Sequence, residues 1–138
     1  MNAKQFDIAT LILRGSLGIM FIAHGLLKVM VFTLPGTVQF FESVGFPGWM
    51  AYVVAYSEIG GGILLITGVY TRAVALAFIP ILLGSLSVHI GNGWVFSSAN
   101  GGWEYPAFLT IIAVVVALLG SGKIAVSLPF LNKTPVAA

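Results

Sequence analysis

Six ionisable side chains fall within or at the edges of long apolar segments of this chain. They are Arg14, His24, Lys28, Glu58, His89 and Glu104. A charged side chain in the hydrocarbon of a membrane costs on the order of 3 kcal/mol or more, so such residues pair with each other or line a polar cavity. The chain has six Lys and Arg and four Asp and Glu in all, and four of these ten charged residues belong to this set. We therefore expect the function of the protein to lie where these side chains meet.

The composition indicates that most of the surface faces lipid. Hydrophobic residues make up 59% of the 138 residues and charged residues only 7%, and the mean hydropathy is +1.06. A soluble domain has roughly a quarter of its residues charged. The net charge of +2, without a run of Lys or Arg, predicts no nucleic-acid partner. The absence of cysteine excludes thiolate nucleophiles, dithiol exchange and iron–sulfur clusters within this chain.

The apolar segments predict an all-α, polytopic membrane protein with a single domain over residues 1–138. A bilayer core of about 30 Å needs about 20 helical residues. Four spans are expected, the last two shorter than the first two: residues 8–31, 49–70, 73–90 and 104–120. The first connection contains a candidate short helix over Thr37–Val44, which we expect to lie along the membrane surface. The predicted fold is therefore a four-transmembrane-helix bundle with a short interfacial helix in the first outer loop.

The basic residues predict the orientation of this bundle. With four spans, the residues that share one side are Lys4, Arg72, Lys123 and Lys133. The positive-inside rule places that side, and both termini, in the cytoplasm. Three tryptophans would mark the opposite interface, namely Trp49, Trp94 and Trp103. The long loops and their polar residues would then face the outer side.

Helical geometry places the polar groups of the first span on one narrow face. At 100° per residue Arg14 and Lys28 lie on one stripe, and His24 is about 80° or less from them. Glu58 lies near the middle of the second span, beside the run Gly60-Gly61-Gly62. Glycines allow the close approach of a neighbouring helix or a ligand. By depth, both Arg14 and His24 fall within reach of Glu58.

These positions predict a polar pocket that opens toward the outer side and has Glu58 at its floor. His24 and Glu58 are the predicted catalytic residues, because a histidine and a carboxylate at membrane depth are suited to proton exchange. The predicted substrate-binding residues surround them: Arg14, Lys28, His89, Trp94, Trp103 and Glu104. Among these, Arg14 and Lys28 would stabilise oxygen anions, and one of the tryptophans would pack on the substrate.

Most of these residues also have a structural interpretation. Arg14 and Glu58 would form an ion pair that locks the first two helices together, which we favour over a substrate role for Arg14. Lys28 would extend to the interface, and His89 would end its helix near water. Glu104 would interact with the dipole at the start of the fourth helix. His24 alone has no such structural explanation.

A metal or haem site is disfavoured by the spacing of its candidate ligands. Two histidines and two glutamates would supply enough ligands for iron or zinc. However, the chain contains neither His-x-x-x-His nor Glu-x-x-His. No metal ligand is therefore predicted.

Several motifs together resemble the DoxX family over nearly the whole chain. They are Leu13-Arg14 with Gly18, Phe21, His24-Gly25 and Lys28; Glu58-Ile59-Gly60-Gly61-Gly62 with Gly68 and Thr71-Arg72; and His89, Asn92-Gly93, Gly102-Trp103-Glu104-Tyr105 and Leu119-Gly120-Ser121-Gly122-Lys123. The resemblance implies a four-helix protein of the bacterial inner membrane, of a kind often labelled an oxidoreductase. It also implies relatives such as the quinone-reducing membrane subunit of thiosulfate oxidation and membrane partners of redox-defence enzymes.

Two functional hypotheses follow. In the first, the chain is a membrane subunit of a redox system whose pocket takes a quinone or another small lipophilic substrate. Electrons would come from a soluble or membrane redox partner protein. The identity of the cofactor stays open, with a quinone as the candidate. A homo-oligomer is compatible with this hypothesis. In the second, it is a non-enzymatic protein for small-molecule binding, transport or assembly, and its ion pairs hold the helices together.

Overall fold

The computed structural model describes residues 2–126, and within them the chain forms helices and connections without a strand. Helices account for 76% of these described residues. In chain order they are α1 (Ala3–Leu26), which continues as a π-helix (Leu27–Val31), α2 (Leu34–Ser43), α3 (Met50–Thr67), α4 (Thr71–His89), which ends in a 3₁₀ turn (Ile90–Asn92), and α5 (Glu104–Leu119). Lys133, which contributed to the predicted orientation, lies outside the described residues.

The predicted class of all-helical membrane protein is confirmed. Three helical segments are long and apolar enough to cross a membrane: Ala3–Val31, Met50–Thr67 and Thr71–Asn92. Helix α5 is apolar but has only 16 residues. Its predicted role as a fourth span stays a prediction, as does the position of α2 at the membrane surface.

Helix α1 begins five residues before the predicted span because its first turn is polar and capped. The side chain of Asn2 accepts a hydrogen bond from the backbone N–H of Gln5, at 2.9 Å, and the side chain of Gln5 accepts one from the backbone N–H of Asn2, at 3.0 Å. This capping box satisfies two N–H groups that the start of a helix leaves free. A hydropathy window overlooks such a turn because its residues are not apolar.

The helices pack as two pairs. Helix α1 packs mainly on α3 and α4 mainly on α5, while the contacts of α1 with α5 and of α3 with α4 are smaller. The two pairs share a core in which the rings of Phe21 and Phe78 stack with centroids 3.6 Å apart. Gly61 makes room for this core, since a Cβ there would come within 2.5 Å of the Phe78 ring.

Within the first pair, the backbones of α1 and α3 are in direct contact. A Cβ on Gly18 would lie 2.6 Å from the carbonyl oxygen of Gly62, and a Cβ on Gly62 would lie 2.6 Å from that of Gly18. One heptad away, a Cβ on Gly25 would lie 2.8 Å from the carbonyl oxygen of Ala55. Small residues permit such contacts between membrane helices. They fix how α1 and α3 are aligned along their length.

The end of the bundle that contains Asp7, Arg14, Gly68 and Lys123, here called the Arg14 end, is closed by hydrogen bonds. The backbone N–H of Lys123 donates to Asp7 Oδ1 at 3.0 Å, and the hydroxyl of Ser121 donates to the Gly68 carbonyl at 2.8 Å. Gly68 adopts φ +82°, in the left-handed region, and so ends α3. The segment after α5 is thereby tied to both α1 and α3.

The glycine contact predicts a large difference between two neighbouring positions of α1. Gly18→Ala should destabilise the protein by about 1–3 kcal/mol, because the new methyl group must push two backbones apart. The control is Gly15→Ala, since a Cβ on Gly15 meets no atom within 4 Å. It should be neutral or stabilising by up to about 1 kcal/mol, because alanine favours a helix. Reversible unfolding in mixed micelles measures both, and equal stability of the two variants would contradict the contact.

Candidate functional site

Lys28 and Glu58 form an ion pair between α1 and α3. The Nζ of Lys28 donates to both carboxylate oxygens of Glu58, at 2.7 Å and 3.0 Å. Only 18% of the Lys28 side chain and 7% of the Glu58 side chain are exposed. Lys28 Nζ also lies 3.5 Å from the carbonyl oxygen of His24. The two opposite charges therefore lie between apolar helices, where each neutralises the other.

The predicted ion pair between Arg14 and Glu58 is wrong. Arg14 is 1% exposed and donates to the carbonyl oxygens of Leu65, at 2.7 Å, and Ile66, at 2.5 Å, in the last turn of α3. It also donates to the carbonyl oxygens of Ser121 and Ile124 after α5. The carbonyls at a helix C-terminus carry partial negative charge and lack intrahelical donors, so they satisfy a guanidinium without a carboxylate.

The direction of helical side chains explains why Lys28, rather than Arg14, reaches Glu58. Side chains on a helix lean toward its N-terminus. Lys28 thus leans back toward the level of Glu58, whereas Arg14 leans away from it. Along α3, Leu65 is about 10 Å from Glu58 at 1.5 Å per residue. Arg14 therefore has a structural role at its own end of the bundle, and the floor of the site consists of Glu58 and Lys28.

Lys28 lies in the π-helical turn, which is held by a hydrogen bond from the Phe32 N–H to the Leu27 carbonyl at 3.0 Å. Single π turns inside α-helices are rare and occur often at functional sites. Thr37 is 3% exposed. Its hydroxyl lies 3.2 Å from the carbonyl oxygen of Lys28 and 2.9 Å from the carbonyl oxygen of Thr33. Helix α2 is thereby fastened against the backbone that carries Lys28.

His24 is half-buried and presents one free nitrogen. Its Nδ1 lies 2.8 Å from the Met20 carbonyl oxygen. Because a carbonyl only accepts hydrogen bonds, Nδ1 carries the proton in this arrangement, and Nε2 of the neutral ring can accept one. The Nζ of Lys28 links His24 to Glu58, because it lies 3.5 Å from the His24 carbonyl oxygen and 2.7 Å from a carboxylate oxygen of Glu58. The pair that the sequence predicted as catalytic thus lies in one region.

Tyr105 on α5 completes this group, and the sequence analysis did not select it. Its ring stacks on His24 with centroids 5.6 Å apart and an angle of 24° between the planes. Its hydroxyl oxygen is buried and has no hydrogen-bond partner within residues 2–126. A polar tyrosine beside Glu104 in an apolar segment was the available signal, since a buried tyrosine hydroxyl normally has a partner. His24, Lys28, Glu58 and Tyr105 are here called the polar cluster.

The other predicted binding residues surround the loop between α4 and α5. His89 Nδ1 lies 2.7 Å from the Ser85 carbonyl oxygen, and the Glu104 carboxylate accepts a hydrogen bond from the Phe96 N–H at 2.9 Å. The side chains of Trp94 and Trp103 are exposed. The bond from Phe96 holds the loop to the start of α5, so a structural role accounts for Glu104. The predicted contacts of all four residues with a substrate stay predictions.

A cavity of about 470 Å³ opens at the Arg14 end, and its lining is Asn2, Ala3, Phe6, Asp7, Gly122 and Lys123. It does not contain any member of the polar cluster. The predicted outward-opening pocket at Glu58 therefore stays a prediction. In the part of the chain that is described, no three His, Asp or Glu side chains lie close enough to share a metal ion.

Double-mutant cycles should show that Glu58 is coupled to Lys28 and not to Arg14. Lys28→Met and Glu58→Gln should each cost up to about 3 kcal/mol, because each leaves a partly buried group without its partner. The double variant should cost less than the sum by about 1–3 kcal/mol. Arg14→Met combined with Glu58→Gln should be additive within about 0.5 kcal/mol. Unfolding in mixed micelles gives all values, and coupling to Arg14 alone would contradict the assignment.

Comparison with known proteins shows the family of this chain. The sequence model of the DoxX family matches residues 9–90, more than half of the chain. A Bacillus subtilis protein named "Putative oxidoreductase CatD" is 38% identical over 131 residues, which cover 94% of this chain and 92% of that protein. The Escherichia coli "Inner membrane protein YqjF" is 37% identical over 73 residues, 53% of this chain and 55% of that protein. No solved structure matches the chain. The chain belongs to the DoxX family.

Proposed function

We propose that this protein is a membrane subunit of a redox system and that it binds a quinone or a similar small lipophilic substrate at the polar cluster. It would lie in the inner membrane of a bacterium with both termini in the cytoplasm. The names of the two relatives, an oxidoreductase and an inner membrane protein, support this proposal. So do the three helices that are long and apolar enough to span a bilayer.

One observation carries the proposal: the polar cluster lies between helices that also have close contacts of other kinds. Gly18 and Gly62 already bring α1 and α3 into backbone contact, and Phe21 and Phe78 join the two helix pairs. Ionisable groups inside membrane helices are costly and usually mark a functional site. A carboxylate, an ammonium, an imidazole and a phenol in one place form a set that can exchange protons and stabilise an oxygen anion.

The chemistry of quinone reduction fits this set. Two electrons and two protons convert the two carbonyls of a quinone into the two hydroxyls of a hydroquinone. The electrons come from a redox partner protein. As each carbonyl oxygen gains negative charge, the Lys28 ammonium stabilises it, and an apolar setting strengthens that interaction. Glu58 and His24 each take up a proton from the aqueous side and pass it to a reduced oxygen.

The competing proposal is a scaffold without a substrate. It is supported by the closed hydrogen bonding of Lys28, whose ammonium already faces both oxygens of Glu58 and the His24 carbonyl. It is also supported by the position of the described cavity at the Arg14 end. In that case the ion pair only holds α1 and α3 together, and no ligand enters.

Substitutions in the polar cluster separate the two proposals. Glu58→Gln and His24→Ala should abolish quinone binding and quinone reduction, because each removes a proton-exchanging group and leaves the glycine contacts intact. His89→Ala and Glu104→Gln should cause smaller losses, since these residues bond to loop and helix backbone. Binding is measured as the rise in melting temperature of the detergent-solubilised protein with decylubiquinone. Circular dichroism and gel filtration control for folding. Undiminished binding by both cluster variants would support the scaffold instead.

A further inference from the structure

The hydroxyl of Tyr105 has no hydrogen-bond acceptor among residues 2–126, although the polar cluster contains groups that can accept a hydrogen bond. Its oxygen is shielded from solvent and has no hydrogen-bond partner within the described residues. Buried polar groups in folded proteins are almost always paired, so each exception calls for an explanation. Two acceptors of the polar cluster already have partners, and the Nε2 of His24, another acceptor there, makes no hydrogen bond with the Tyr105 hydroxyl. Glu58 receives Lys28 on both oxygens, and the Nδ1 of His24 is engaged with a carbonyl.

Two contacts fix the position of the Tyr105 ring and therefore of its hydroxyl. It stacks on His24, and Pro106, the next residue, is buried in the first turn of α5. The stacking joins α5 to α1, two helices from different pairs whose mutual contact is small. A molecule that enters between the two helix pairs would therefore reach Tyr105, His24 and the ion pair together.

We propose that the Tyr105 hydroxyl donates a hydrogen bond to a carbonyl oxygen of the bound molecule. This inference rests on the proposed function and narrows its ligand to compounds that carry a carbonyl oxygen on an apolar body. The two donors that a ligand would meet are the Tyr105 O–H and the Lys28 ammonium. A carbonyl oxygen has two lone pairs and can accept from both. It also adds no donor of its own.

The purely structural interpretation makes an opposite prediction for the same residue. If Tyr105 only packs against His24, the hydroxyl contributes nothing to binding. Tyr105→Phe then retains the stacking ring and leaves ligand affinity unchanged. If the hydroxyl is the donor, the same variant should lose affinity for ligands that carry a carbonyl and for no others.

The experiment compares two ligands in two variants of the full-length protein. Decylubiquinone carries ring carbonyls, and decylbenzene has the same alkyl chain on a ring without oxygens. Tyr105→Phe should bind decylubiquinone at least tenfold more weakly than the wild type, about 1.4 kcal/mol. Its affinity for decylbenzene should be unchanged, and its melting temperature without ligand should be no lower than that of the wild type. The control is Tyr56→Phe, because Tyr56 is exposed on α3; it should behave as the wild type.

Three other results would contradict the inference, and they differ in whether the proposed function also fails. Wild-type affinity of Tyr105→Phe for the quinone, together with loss of binding in Glu58→Gln, would overturn this inference and leave the proposed function standing. Equal weakening for both ligands would show that the loss does not depend on a carbonyl of the ligand and would overturn the inference. If the wild type binds decylubiquinone no better than decylbenzene, both the inference and the proposed function fail.

An infrared measurement keeps the inference testable if Tyr105→Phe does not fold. In Lys28→Met, which removes the other donor, the carbonyl stretch of bound decylubiquinone should lie below its frequency in detergent alone, because a hydrogen bond weakens the C=O bond. An unshifted band would overturn the assignment of Tyr105 as the donor.

Discussion

The backbone contact between α1 and α3 is the constraint on which the other features depend. Gly18 and Gly62 leave no space for a Cβ on either helix, so the two helices can be aligned in only one way along their length. That alignment places Glu58 beside α1 at a level that the Lys28 side chain reaches. It also places the last carbonyls of α3 over Arg14. The contact between Gly18 and Gly62 thus gives Lys28 a carboxylate partner and Arg14 carbonyl partners.

The two ends of the bundle therefore differ in their chemistry. At the Arg14 end the guanidinium is enclosed by carbonyl oxygens from α3 and from the segment after α5. A charge held in this way by backbone groups stabilises the fold and exchanges no proton. The polar cluster instead contains a carboxylate, a free imidazole nitrogen and an unpaired phenol. This region combines groups that can take up protons with a donor that lacks an acceptor among residues 2–126.

The fold class was predictable because it depends on composition and on the length of apolar segments. The candidate site was predictable in part. His24, Lys28 and Glu58 stand out in the sequence, because ionisable residues are rare there and a lipid environment makes each one costly. The pairing was not predicted, since depth along a helix axis ignores the lean of side chains toward the N-terminus. Because of this direction Lys28, and not Arg14, reaches Glu58. Tyr105 was not selected: its polar type in an apolar segment was a signal, but its missing partner is a property of the packing of α5 against α1.

The central claim is that the polar cluster holds a carbonyl-bearing lipophilic molecule, and the most direct test is analysis of protein purified gently from its own membrane. Mass analysis and ultraviolet absorption should find a quinone-class compound bound to the wild type in a fixed ratio. The compound should be absent from Glu58→Gln and retained by Tyr56→Phe. A colourless wild-type protein without a bound lipophile, folded and monodisperse, would contradict the account and support a structural scaffold.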